Sequence, residues 1–255
     1  MLPNFLGVGF FRCGTTWLHE TLDQHPQVYV PQKLKEIHFF YEENYGRGLP
    51  WYETHFPSDD TADQFKAVGE IGPGYATRGC LDRIAAEPTI ERFLFMVRNH
   101  ADRVYSNYRQ AARMSSKPAP FEEHVAQIES WGPSQRYTPW IEAWINRFGA
   151  DRVLVVTLED VMRDAKGEQT RIANHLGIDP NGFPDEPTSR VNESAMPSRP
   201  WLYKLAGKTN TLLYRYRLYS VSNALKAMGL KRLMGFGKGA PPPPMTDESR
   251  RLINE

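Results

Sequence analysis

The chain has 255 residues, 40% hydrophobic and 24% charged, a balance that fits one sizeable α/β domain and excludes disordered, collagen-like and fibrous readings. Its formal net charge is +1, so affinity for a polyanion has to come from where charges sit rather than from their sum, and no nucleic-acid partner is expected. Two cysteines, Cys13 and Cys80, are too few for a disulfide framework or a zinc site and point to a reducing, cytoplasmic address; no secretory leader or membrane span is expected from the opening residues or from any apolar run.

Asn4 to Phe10 is a short apolar run that enters the turn Arg12-Cys13-Gly14-Thr15-Thr16, and Trp17 to Gln24 follows at helical spacing until His25-Pro26 stops it. Gln27 to Val30 and Ala67 to Ile71 are two further apolar runs, closed by Pro31 and by Gly72-Pro73-Gly74. Arg92 to Val97 is continuously apolar after its first residue, as a strand covered on both faces would be, and a helical pattern starts at Ala101. Val153 to Thr157 repeats that design ahead of a helix near Asp164 to Leu176. Strands alternating with helices predict an α/β fold: a mostly parallel central sheet flanked by helices, with ligands at the carboxyl ends of its strands.

From Trp201 to Lys238 no acidic residue occurs, while Lys204, Lys208, Arg215, Arg217, Lys226, Lys231, Arg232 and Lys238 interleave with apolar residues. This basic amphipathic flank is read as a solvated helical face, with peripheral contact to a membrane surface or an anionic glycan as the other reading. Residues 1–238 are expected to form one domain. Residues 239–255 are expected to be a proline-rich linker and a short tail, with a helix capped by Thr246 that stops too soon to pack well.

The turn between the first strand and the first helix, Gly9-Phe10-Phe11-Arg12-Cys13-Gly14-Thr15-Thr16, converges backbone N–H groups and a helix N-terminus on one point, an anion cradle. Its spacing mimics the nucleotide-triphosphate loop G-x-x-x-x-G-K-[ST], but Thr15 stands where that loop has the lysine that reaches the β and γ phosphates, and the cation is Arg12, upstream. A phosphotransferase built on this loop is therefore the secondary reading.

Arg12-Cys13-Gly14-Thr15-Thr16, together with Arg98-Asn99-His100-Ala101-Asp102-Arg103-Val104-Tyr105-Ser106 after a buried strand, resembles the two donor-binding signatures of the sulfotransferases that use 3'-phosphoadenosine-5'-phosphosulfate (PAPS). The stretch Lys35-Glu36-Ile37-His38-Phe39-Phe40 is similar to the branch containing the heparan sulfate sulfotransferases, and Pro197-Ser198-Arg199 resembles a late donor loop of bacterial members. The resemblance implies the P-loop NTPase-like sulfotransferase fold. It also implies transfer of a sulfuryl group from PAPS to a hydroxyl or amine acceptor, carbohydrate or glycan-like, leaving 3'-phosphoadenosine 5'-phosphate (PAP), with no metal.

By the same resemblance Arg12, Cys13, Gly14, Thr15 and Thr16 hold the 5'-phosphosulfate, Trp17 stacks on adenine, Arg98 and Ser106 grip the 3'-phosphate, and Ser198 and Arg199 close over the donor. Glu36 is the expected general base, with His38 orienting it or acting as the base itself, and Arg12 meets the charge on the leaving oxygen. Each has a plainer alternative: Glu36 as a solvated partner of Lys35, His38 and Trp17 as core residues, Arg98 as a surface ion pair, and the whole chain as a donor-binding relative without turnover. Two departures from the pattern stand out. His100 replaces a usual proline, and Ile71 occupies the place where the heparan branch often has a lysine after the strand glutamate, here Glu70.

Overall fold

The apolar runs become the strands of one parallel sheet. The structure, a computed structural model, describes residues 1–32, 34–77, 79–113, 115, 119–129, 136–185, 205, 206, 209 and 244–254. In chain order the elements are β1 (Phe5–Gly9), α1 (Thr15–Asp23), β2 (Val28–Tyr29), α2 (Glu42–Tyr45), α3 (Leu49–Glu53), α4 (Asp59–Ala62), β3 (Ala67–Ile71), α5 (Leu81–Ala85), β4 (Arg92–Val97), α6 (His100–Arg113), α7 (Phe121–Glu129), α8 (Thr138–Phe148), β5 (Val153–Thr157), α9 (Leu158–Arg163), α10 (Ala165–Leu176) and α11 (Asp247–Asn254).

The strand order is β2-β3-β1-β4-β5 and every pairing is parallel. β1 lies at the centre, so all five of its residues are buried, and its sequence carries no alternation of apolar and polar side chains. The chain leaves β1 towards β2 and β3 on one side and returns to β4 and β5 on the other. Strand order thus reverses at β1, and the turn after it opens into the crevice where such sheets bind ligands.

The chain divides into two compact units, Met1–Asn99 with Arg136–Val191 and His100–Gln135 with Asn192–Glu255. The first contains the sheet and a continuous core in which Phe93 and Phe95 meet the edge of Trp144 at centroid distances of 5.1 and 5.6 Å. Each such fully buried side chain contributes about 1.5–3 kcal/mol relative to exposure. The helix expected near Asp164 to Leu176 is α10, which Asp164 caps on Gly167 N–H, and the short α9, capped by Thr157 on Asp160 N–H, precedes it.

In the second unit, Val104, Tyr108 and Phe121 form a small cluster. The tail corrects the expectation that it stops too soon to pack. Thr246 does cap α11 by accepting from Ser249 N–H, but Met245 and Ile253 pack on that cluster and Arg250 pairs with Asp102 at 2.7 Å, since α11 has an apolar stripe that meets α6. The basic stretch 201–238 lies outside the described residues except for Leu205, Ala206 and Thr209.

His19, on the buried face of α1, has its Nε2 3.2 Å from the Pro31 carbonyl, so the ring carries its proton on Nε2 and donates it there. Burial holds its pKa below the ordinary imidazole value, and burial lowers His124 and His175 as well. The unfolded chain therefore binds more protons than the folded one below about pH 6.5, and stability is lost as pH falls from there. Thermal unfolding of His19→Gln, which keeps a donor for Pro31, is expected to fall less steeply than wild type between about pH 7 and pH 5.5; parallel curves would contradict this account of His19.

Candidate active site

The start of α1 is open. Gly14 occupies the N-cap position with φ 92°, and no side chain caps the helix, in contrast to α9 and α10. A side chain at position 14 would be strained by that φ and would also meet Leu158 Cδ1 at 2.8 Å, so the turn requires glycine. Arg12, two residues earlier, also has positive φ, 67°. The first-turn N–H groups of a helix have no intrahelical acceptor and carry its positive end. Here they follow directly on the end of β1, two residues after Arg12, with the half-buried Thr16 among them.

A second loop reaches this point. Lys35 Nζ donates to Thr16 Oγ1 at 2.8 Å, so the lysine before Glu36 lies against the start of α1 instead of pairing with its neighbour. Glu36 Oε2 lies 3.3 Å from His38 Nε2, with about a third of each side chain exposed. His38 stacks on Tyr41 at 4.6 Å and has φ 58°. Arg12 and His38 are the only non-glycine residues with positive φ among the described residues, a conformation that costs about 1–3 kcal/mol and persists only where the surroundings enforce it.

Beside His38, Ile37 is held by Glu70 on β3. Its carboxyl is fully buried and accepts from Ile37 N–H at 3.0 Å, Tyr52 O–H at 2.8 Å and Tyr75 O–H at 2.7 Å. Burial raises Glu70 above the usual carboxylate range, opposed by the three donors and by His38, and the same burial with the adjacent carboxyl raises Tyr52 and Tyr75. Ile37, Phe39 and Phe40 turn into the core, with Phe39 stacked on Tyr52 at 4.2 Å. Glu36 and His38 are left facing outward.

Arg98 follows β4 and is half-buried, and its guanidinium makes no hydrogen bond among the described residues. Its backbone carbonyl accepts from Tyr137 O–H at 2.9 Å, and Cys13 Sγ lies 3.3 Å from the same hydroxyl. The thiol also lies 3.5 Å from the Phe11 carbonyl, to which it can donate. Cys13 is fully buried, so it serves as a small anchored loop residue, and Tyr137 ties the turn after β1 to the end of β4. Thr15 is buried, and Trp17 is 8% exposed within the core. Ser106 lies on α6 in the second unit. Ser198 and Arg199 lie outside the described residues.

Sequence reasoning missed three residues of this arrangement. Glu70 was noted only for the residue after it, although a lone acid in an otherwise apolar strand, followed by a Gly-Pro-Gly turn and Tyr75, was a readable sign of a buried hydrogen-bond hub. The contact from Lys35 to Thr16 and the double contact of Tyr137 depend on how the chain folds back, and no local pattern gives them away.

Residues 2–197 match the family described as the sulfotransferase domain. The chain is 29% identical over 188 residues to human heparan sulfate glucosamine 3-O-sulfotransferase 3B1, covering 69% of this chain and 46% of that protein. It is 23% identical over 272 residues to mouse bifunctional heparan sulfate N-deacetylase/N-sulfotransferase 4, covering 99% of this chain and 28% of that protein. The chain thus spans less than half the length of either curated relative. Among solved structures, a sulfotransferase from Alicyclobacillus acidocaldarius superposes with a TM-score of 0.62 at 25% identity, covering 88% of this chain and 96% of that one.

Glu70→Gln keeps an acceptor for the two tyrosines but turns an N–H towards the Ile37 N–H or leaves that donor bare, at a cost of about 1–3 kcal/mol. Because the folded value of Glu70 is raised, its contribution is fully present below the ordinary glutamate value and is lost as pH rises through the raised one. Denaturant unfolding is therefore expected to show a deficit in the variant that is largest at low pH and narrows as pH increases. Equal stability, or a deficit that widens with pH, would contradict the assignment.

Proposed function

The chain belongs to the sulfotransferase domain family, and from that premise we propose that it moves a sulfuryl group from PAPS to a hydroxyl or amine of a carbohydrate or glycan-like acceptor, releasing PAP. The observation that carries the reading is the approach of two loops at the open start of α1: Arg12 and the uncapped N–H groups on one, and the outward-facing Glu36 and His38 on the other, joined through Lys35 and Thr16. An uncapped helix start with an arginine in the preceding turn fits a phosphosulfate in charge and in hydrogen-bond donors. The similarity to heparan sulfate enzymes supports a sugar acceptor.

The donor supplies an activated sulfur bonded to its 5'-phosphate oxygen. Glu36 takes the proton of the acceptor as the acceptor's oxygen or nitrogen bonds to sulfur. His38, 3.3 Å away, orients the carboxylate. Arg12 and the N–H groups of Gly14, Thr15 and Thr16 meet the electron pair left on the 5'-phosphate oxygen when its bond to sulfur breaks. Arg98, whose guanidinium is committed to no described side chain, grips the 3'-phosphate. The physical demand is for positioning and charge, as in phosphoryl transfer, rather than for covalent chemistry by the protein.

Incubation with sulfur-labelled PAPS and a panel of glycans, amines and small alcohols, followed by mass spectrometry, tests the reaction; label in none of them would overturn it. Glu36→Gln is expected to lower turnover by about 100-fold or more while calorimetric affinity for PAP changes by less than about threefold, the pattern of a lost base. Arg98→Ala is expected to weaken PAP by on the order of 10- to 100-fold and adenosine 5'-phosphosulfate far less; equal weakening would remove Arg98 from the 3'-phosphate site.

A further inference from the structure

Two consecutive phenylalanines in the turn after β1 face opposite ways. Phe10 is buried, with its ring 5.6 Å from Phe95 and 4.7 Å from Tyr137. Phe11 is 43% exposed, and among the described residues it is the only exposed aromatic side chain. A lone exposed apolar side chain is ordinary on a protein surface, but two features set this one apart. It stands one residue before Arg12, in the turn that leads to the open start of α1. Its ring is also seated. A Cβ at position 74 would come within 2.8 Å of Phe11 Cε2 and would run into the Tyr41 hydroxyl, so Gly74 lets both rings lie against the turn after β3.

Tyr41 links this ring to the proposed base. His38 stacks on Tyr41 at 4.6 Å, and its Nε2 lies 3.3 Å from Glu36. Phe11, Tyr41, His38 and Glu36 thus form a continuous run from the turn after β1 to the loop that takes the acceptor's proton. Binding sites for small molecules combine such apolar and aromatic surface with a few polar groups that fix orientation.

On the reading proposed above, we infer that Phe11 is an acceptor-binding residue, against whose face the sugar ring carrying the reacting hydroxyl or amine lays its C–H bonds. A pyranose has polar edges and a flatter apolar face. An aromatic ring takes that face out of water and leaves the hydroxyls to polar partners. The contact holds the reacting group near Glu36 and selects ring-bearing acceptors over open-chain polyols. Phe11 takes no part in proton or sulfuryl transfer.

Steady-state kinetics with labelled PAPS test this on the methyl glycopyranosides of glucose, galactose and glucosamine. Sorbitol, which has hydroxyls but no ring, and 4-nitrophenol, a flat ring without a sugar, serve as the contrasting acceptors. For the full chain, Phe11→Ala is expected to raise KM for the accepted glycopyranoside by about 5- to 20-fold, with kcat and calorimetric PAP affinity each within about twofold of wild type. Phe11→Trp, which keeps a flat aromatic face, is expected to stay within about threefold of the wild-type KM. An unchanged KM in Phe11→Ala, a loss of PAP affinity, or a fall in kcat alone would overturn the inference. Wild-type protein that labels sorbitol or 4-nitrophenol in preference to every glycopyranoside would also overturn it, while leaving the sulfotransferase reading in place. Transfer to no acceptor at all would instead sink that reading, and the role of Phe11 with it.

Discussion

A helix start that no side chain caps is the constraint from which the rest of the site follows. α1 begins at a left-handed Gly14 directly after the central strand, and its first N–H groups face the crevice where strand order reverses. Side-chain oxygens close the starts of α9, from Thr157, and α10, from Asp164. By contrast α2, α3, α4, α5 and α8 also begin without a side-chain cap, and α1 is set apart by its place directly after the central strand. An open start at this place forgoes about 1 kcal/mol of capping and keeps an anion-binding point free.

What surrounds that point is held by the core. Glu70, buried on β3 beneath two tyrosine hydroxyls, fixes the backbone N–H of Ile37, and the aromatic packing of Phe39 and Phe40 fixes the residues beyond. The loop between them turns through a left-handed His38 so that Glu36 and His38 remain outside. A buried carboxyl with three donors is costly to assemble and costly to disturb, which suits a group whose task is to hold a neighbouring loop in one geometry. Tyr137 has the corresponding part on the other side of β1, where it joins Cys13 to the backbone of Arg98.

Continuous apolar runs such as Phe93 to Val97 and Val153 to Thr157 made the strands legible, because a strand covered on both faces has no polar alternation to confuse with a helix, and the sheet is parallel as that pattern requires. The turn at Arg12 to Thr16 was legible for a different reason: its glycine, its threonines and its place between a strand and a helix are all local. The helix near Asp164 to Leu176 was legible too, whereas α9 was missed because six residues are too few to show a helical period. The packing of α11 on α6 was missed because its partners are distant in sequence. The same limit hid Lys35 on Thr16 and Tyr137 between two loops, since both contacts exist only once the sheet has brought separate turns together.

The family match covers residues 2–197, and the similarity to heparan sulfate enzymes is carried on a chain shorter than those relatives. The central claim is local, however: the turn after β1 is an anion cradle whose donors are the opening N–H groups of α1. A crystal structure of the complex with PAP tests it most directly. The account predicts the 5'-phosphate on the N–H groups of Gly14, Thr15 and Thr16 with Arg12 beside it. A nucleotide phosphate bound away from that turn, or a cradle filled by the protein's own side chains, would contradict it.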